Sequence, residues 1–278
     1  MPCICTLNPQ PGWRFPEVNT KRLLLPSLVA VLVLYVAPQL MLLALTGNAA
    51  IWSRLFDPLY AAIFWRSVAM ALGTTLVTLL AGFPVAWALV RAVPGRWRGA
   101  LLLLVTLPLW TSVLVKLYAW VFLLRSGGLL SQLMTFFGAS SPSLLYTTEA
   151  VAIGQLYVEL PYMILPIYAA LERIDPSLVD AARDLGASTL TTLRRVVIPI
   201  ASPGIVAGCI LVFVPSLGSV LVPDLLGGAR TAWLGTLITS QFGAARDPAF
   251  GSAMAFSLSV LTLLAFMAFG RFLARAQE

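Results

Sequence analysis

Six apolar runs of about twenty residues punctuate the chain, at residues 23–45, 67–90, 100–124, 148–171, 200–222 and 252–272. Each is long enough to cross a hydrocarbon core of about 30 Å as a helix. The pattern predicts an all-α, polytopic membrane protein with six transmembrane helices and no separate soluble domain. Gly73, Gly82 and Pro84 lie inside the second run, where small residues let helices approach closely in lipid. Pro161 and Pro166 are expected to interrupt the fourth run, and Pro215 and Gly218 to break the fifth.

The polar intervals are short, with one exception. Residues 1–22 read as a cytoplasmic tail with an interfacial Trp13, and residues 46–60 as an outer loop. RAVPGRWRG at 91–99 is a basic turn, and 125–147 is an outer segment with room for a short helix along the membrane surface. The second long outer segment covers 223–250, with Gly227, Gly228, Arg230 and Trp233. The exception is the interval 175–204, DPSLVDAARDLGASTLTTLRRVVIPIASPG, within a polar loop over 172–199. Asp175 is a good N-cap, and Pro176 sits where a missing N–H costs nothing. Leu178, Ala181, Ala182 and Leu185 then fall at i, i+3, i+4 and i+7, one small apolar face. Gly186 is the natural stop. Ser188 can cap a second helix carrying Leu190, Leu193 and Val197, before Pro199 and Pro203-Gly204 open the next apolar run. This helix–turn–helix has a face too apolar to be left wet, so it is expected to dock into something.

Composition agrees with the pattern. Only 10% of residues are charged, against about 25% in an average soluble domain. The net charge of +7 does not point to nucleic acid, because the basic residues mark loop sidedness. Arg14, Lys21, Arg22, Arg91, Arg96, Arg98, Arg173, Arg183, Arg194, Arg195, Arg271 and Arg275 fall on the side of the N-terminus. Arg54, Arg66, Arg125, Arg230 and Arg246 fall on the other, and Lys116 lies within a run. The imbalance places both termini and the 172–199 loop in the cytoplasm. Cys3, Cys5 and Cys209 give neither a disulfide framework nor a zinc site, and there is no histidine for the usual metal or acid–base chemistry. No metal site, cleavable signal peptide or phosphate-binding glycine loop is visible. If ATP drives the protein, its site is on another chain.

Two charges sit inside the runs. Lys116 and Glu159 lie at similar depth, roughly 12 and 16 Å from the outer face at the helical rise. Neither is tolerable against lipid. Three readings fit: an ion pair locking two helices, Glu159 attracting a cationic solute along a pathway, or both facing water without either role. Pro215, Ser216, Gly218 and Ser219 mark broken backbone at membrane depth, which serves as a packing kink or as pathway lining. Tyr118, Trp120, Gln155 and Tyr157 are its expected neighbours, and Asp224 belongs to the same set. Aromatic faces suit amines by cation–π contact, although near run ends they also serve as interfacial anchors.

Asp180-Ala181-Ala182, three residues, Gly186 and then Ile198-Pro199 resembles the "EAA" loop of permease subunits of binding-protein-dependent ABC importers. Asp180 replaces the usual glutamate and shortens the arm by one methylene. Pro215-Ser-Leu-Gly218 with Val222-Pro-Asp-Leu-Leu-Gly-Gly228, and Pro108-Leu-Trp-Thr-Ser112 with Lys116-Leu-Tyr-Ala-Trp120, are similar to the spermidine/putrescine-type permease. The resemblance covers the chain from about Phe64 onward and implies the type I importer fold. It also implies that Asp175, Leu178, Asp180, Ala181, Ala182, Arg183, Asp184, Leu185 and Gly186 form a coupling helix seated in a cleft of an ATPase. Two such ATP-binding subunits would hold the ATP and magnesium, leaving this chain without a cofactor or enzymatic site. The remaining partners implied are a second permease in a heterodimer and an extracytoplasmic solute-binding protein, with lipid around them. The fold would sit in a bacterial inner membrane and work by alternating access, ATPase closure moving the membrane helices. The solute the resemblance implies is a polyamine, with an opine, an amino-acid derivative, an anion or ferric iron as the alternatives. A stand-alone secondary transporter also fits six spans with buried charges, whereas a membrane enzyme lacks any nucleophile–base constellation.

Overall fold

The computed structural model of the chain describes residues 20–47, 49–137, 144–228 and 232–276. Most of the expected N-terminal tail, with Cys3, Cys5, Arg14 and Trp13, lies outside the described residues, as does Arg230. Every regular element among the described residues is helical. In order these are α1 (Thr20–Leu45), α2 (Ala49–Arg54), α3 (Pro58–Arg91), α4 (Gly95–Thr106), α5 (Val113–Leu124) and α6 (Leu129–Phe136). They continue as α7 (Thr148–Glu172), α8 (Pro176–Asp184), α9 (Thr189–Thr192), α10 (Ile198–Leu217), α11 (Leu234–Phe242) and α12 (Pro248–Ala276). Six stretches among the described residues are long and apolar enough to cross a membrane.

One dipeptide starts three of these helices. Asp57-Pro58, Asp175-Pro176 and Asp247-Pro248 each put a carboxylate before a proline at the first helical turn. Asp57 accepts from the Leu59 amide at 3.0 Å, Asp175 from the Ser177 amide at 2.9 Å and Asp247 from the Phe250 amide at 3.1 Å. The second span therefore begins at Pro58 rather than Ser67. Its 34 residues run about 51 Å, beyond the hydrocarbon on the outer side. At its other end, the Arg98 guanidinium donates to the Val90 carbonyl at 2.7 Å, covering an orphan carbonyl of the last turn.

The third span differs from expectation. It is not one helix over 100–124, because a 3-10 turn at Leu107–Trp110 and extended backbone at Thr111 and Ser112 split it into α4 and α5. Pro108 in the turn lacks the N–H that a continuing helix needs. The apolar stretch over Val113–Phe136 is itself divided, by a turn through Gly127 at φ 74°. The fourth span departs the other way. Pro161 and Pro166 are absorbed without interruption into α7, half of whose span is buried. In the fifth, α9, a π turn at Leu193–Val197 and α10 form a single helical run from Thr189 to Leu217. Pro215 lies inside that helix, and the break falls at Gly218.

The core is the crossing of α7 with α3 and α10. Gly204 and Gly208, four residues apart, let α10 lie directly on Pro166 and Met163 of α7, while Gly82 of α3 lies on Met163 from the other side. The cytoplasmic half of the core gathers Leu89, Ile167, Leu171, Ile174, Val179, Val197 and Val212. The outer half gathers Leu117 and Leu124 of α5, Val151 of α7, Val222, Leu226 of a second π turn (Pro223–Gly227) and Trp233.

Candidate functional site

The cytoplasmic loop folds as its residues dictate. Asp175 caps α8, and the amide and hydroxyl of Ser177 hold its carboxyl below the usual carboxylate range. Ser188 accepts from the Thr191 amide at 3.3 Å and opens the second helix. Between them Gly186 takes φ 79°, a backbone state that costs other residues about 1–2 kcal/mol. Val179 alone turns inward, 3% exposed, against the base of the core. Leu178 is 46% exposed and Leu185 89% exposed, with Ala181 bare and Ala182 half-covered. Asp180, Arg183 and Asp184 are exposed too. The Arg183–Asp180 pair spans 3.9 Å in water and contributes little. The apolar face expected from the sequence is thus exposed, anchored from behind by Val179.

Within the membrane the two buried charges form no direct salt bridge. The Lys116 ammonium donates to the Pro108 carbonyl at 2.8 Å, a group freed by the turn between α4 and α5. Glu159, 3% exposed, is reached at 3.4 Å by the Gln155 amide, which also donates to the Ser216 hydroxyl at 3.2 Å. Gln155, Glu159 and Ser216 therefore form one polar string between α7 and α10. The second oxygen of Glu159, Oε2, has no hydrogen-bond partner among the described residues. An unmet buried acceptor is costly, so this atom is the outstanding polar feature of the string.

The other expected pathway residues divide. Trp120 meets Tyr157 edge-on at 5.7 Å, next to the string on α7. Tyr118 is exposed on α5, with no contact to the string among those seen. Pro215 and Gly218 are exposed, and Ser216 and Ser219 half-buried. The carbonyls of Gly218 and Ser219, freed by the break, lie against Gly235 of α11, where an added methyl would stand 2.8 and 2.5 Å from them. Asp224 is exposed in the second π turn, on the outer side of the break. The Pro108 carbonyl, Val179, Gly204, Gly208 and Gly235 were not among the residues expected from sequence. Only the Gly204–Gly208 spacing carried a signal that could have found its pair.

Outside the membrane, Arg54 bridges to Asp247 at 2.8 Å and lies over the Phe250 ring at 4.3 Å. Its hydrogen bond holds the Asp247 carboxyl below the usual range and ties α2 to the start of α12.

Residues 78–278 match the family described as "Binding-protein-dependent transport system inner membrane component". The chain is 43% identical over 215 residues to the spermidine/putrescine transport system permease protein PotB of Haemophilus influenzae, covering 77% of this chain and 75% of that one. It is 39% identical over 222 residues to the Escherichia coli protein of the same name, covering 79% and 80%. In solved structures the fold recurs in a bacterial ABC transporter that imports the acidic polysaccharide alginate, with TM-score 0.70, 20% identity and coverage of 94% and 96%. It recurs in the MetNI methionine ABC transporter with TM-score 0.59, 18% identity and coverage of 78% and 95%. The fold is that of ABC importer permeases, the sidedness and apolar runs are those of a multi-pass inner membrane protein, and the chain belongs to the family of binding-protein-dependent transport system inner membrane components.

Proposed function

We propose that this chain is the permease subunit of an ATP-driven polyamine importer of the spermidine/putrescine type. The observation that carries the reading is the 43% identity, over three quarters of both chains, to a relative named as such a permease. In this reading α8 seats in an ATP-binding subunit through Leu178, Ala181, Ala182 and Leu185, with polar contact from Asp175, Asp180, Arg183 and Asp184. Gly186 supplies the turn that hands the motion to α9. The bare face of α8 in a cytoplasmic loop supports this role. The ATP and magnesium belong to two such ATP-binding subunits. A second permease completes the pathway as a heterodimer, and an extracytoplasmic binding protein delivers the solute to the outer loops. ATPase closure opens the pathway outward, and hydrolysis resets it.

Glu159 is the residue that attracts the cationic solute within the membrane, held by Gln155 and Ser216 with Oε2 left to accept. Its supporting observation is that unmet acceptor. Lys116 fixes the α4–α5 junction through the Pro108 carbonyl. Trp120 and Tyr157 supply aromatic edges beside the string.

The deciding experiment reconstitutes the assembled transporter in vesicles and follows uptake of labelled putrescine and spermidine with and without ATP. Competitors are an opine, an amino-acid derivative, an oxyanion and ferric iron. ATP-dependent amine uptake that only amines compete away is the expected result. Competition by another class reassigns the solute. Uptake by the permease without its ATPase returns the chain to the secondary transporters.

A further inference from the structure

A second polar feature lies outside the membrane string. The π turn after α10 and the first turns of α11 enclose a cavity of about 260 Å³, walled in part by Asp224, Gly228, Thr236 and Ser240. That is below the usual range for drug-sized ligands and suits the end of a small linear molecule. Its chemistry is one-sided. The Thr236 hydroxyl donates its proton to the Trp233 carbonyl at 2.9 Å and accepts from the Trp233 amide at 3.1 Å. The Ser240 hydroxyl donates to the Leu237 carbonyl at 2.7 Å. Each hydroxyl has a single proton, so both turn only lone pairs outward. Asp224 is exposed, its side chain in no hydrogen bond or ion pair among the described residues, and an ionised carboxylate accepts without donating.

The three polar side chains of this cavity thus offer acceptors and one negative charge. A ligand made only of donors and carrying positive charge satisfies all three, which is the description of a primary ammonium. An anion or a carbonyl finds no side-chain donor among the described lining residues. The walls are also fixed. Gly228 takes φ 62°, and a methyl group there would stand 2.7 Å from the Tyr146 ring. Tyr146, itself at φ 66°, donates its amide to the Leu226 carbonyl at 2.8 Å.

We infer that the cavity between the π turn and α11 is an outer receiving site for one primary ammonium of the transported solute, with Asp224 as counter-charge and the Thr236 and Ser240 hydroxyl oxygens as acceptors. This deepens the polyamine reading and rests on it, adding a solute contact in this subunit ahead of Glu159.

The test uses the complete transporter in vesicles, with Ser240→Cys placed in a background of Cys3→Ser, Cys5→Ser and Cys209→Ala. Aminoethyl and methyl methanethiosulfonate are applied from outside. The cationic reagent should outpace the neutral one by about tenfold, through attraction by a single carboxylate in a cleft. Asp224→Asn should bring the two rates together, and millimolar putrescine should slow the cationic reaction only while Asp224 is present. In uptake, Asp224→Asn should raise half-saturating putrescine about tenfold at unchanged maximal rate, with partial recovery in Asp224→Glu. A rate ratio indifferent to Asp224→Asn, a cysteine at 240 that reacts with neither reagent, or an Asp224→Asn uptake curve that overlays wild type each overturns the inference. Wild-type vesicles that take up no amine overturn the polyamine reading instead, and the thiol rates still decide whether the cavity takes an ammonium.

Discussion

Replacing Gly204 by alanine adds one methyl group where α10 lies directly on the α7 backbone. Built on the backbone, that methyl stands 2.5 Å from the Pro166 carbonyl oxygen and closer still to the Ala170 Cβ, where ordinary contact begins at 3.4 Å. Both obstacles are rigid, one being backbone and the other a methyl on α7. The crossing must therefore open by about 1 Å, enough to forfeit a quarter to a half of each dispersion contact it loosens. Those contacts include Met163, Ile167, Ala201 and Val212, all fully buried. The expected cost is about 1–3 kcal/mol, the range for overpacked cores. Alanine in place of glycine otherwise favours a helix by about 0.5–1 kcal/mol. Gly73→Ala isolates that gain, because a methyl there meets nothing within 4 Å. The two variants should move in opposite directions when the thermal aggregation midpoint of detergent-solubilised protein is followed by size-exclusion chromatography. At about 2–4 °C per kcal/mol the separation should be on the order of 5 °C. Equal midpoints would refute the argument that the α7–α10 approach at Gly204 limits stability.

Gly186→Val should abolish uptake while immunoblots still find the chain in the membrane, since the residue has open space around it and only its φ of 79° forbids a branched side chain. Normal uptake by that variant would count strongly against the docking role of α8. Glu159→Gln keeps the size and removes the charge, so half-saturating putrescine should rise about tenfold at similar membrane levels; unchanged uptake would leave Glu159 a structural role alone. The Arg54–Asp247 bridge should hold above the ordinary aspartate value of about 3.9 and fail only as pH falls through the lower folded value of Asp247. Proteolysis of the outer face should accordingly stay flat from pH 7 to 5 and rise below about 3.9, and a rise complete by pH 5 would contradict the assignment.

The spans were legible because hydropathy over twenty residues is a large, additive signal. What the sequence hid was local. Asp57-Pro58 carries the same cap that made α8 readable at Asp175-Pro176, yet hydropathy drew the second span from Ser67 and missed the outer extension of α3. Proline was the harder case. Pro161 and Pro166 lie within a helix whose neighbours press on it from both sides, and Pro108 ends one that has no buried residue of its own. Tertiary packing, absent from a single sequence, decides between those outcomes. The partner of Lys116 was hidden for the same reason, because the Pro108 carbonyl is free only once the break exists. In the cytoplasmic loop nearly every determinant is local, a capping side chain, a proline, an apolar face and a glycine, and only the inward packing of Val179 is tertiary. That is why it could be drawn residue by residue in advance.

The exposed face of α8 also bears on how such a subunit must be made. Leu185 stands 89% exposed and Leu190 73% exposed in a loop on the cytoplasmic side. A newly inserted copy without its mate shows the cytosol the sort of apolar surface that chaperones and quality-control proteases recognise. Its lifetime should then follow the supply of whatever covers that face, so that excess copies are cleared and stoichiometry is set after synthesis. Purification should follow the same logic, with yield rising when the covering subunit is made alongside and detergent alone proving a poor substitute at Leu185.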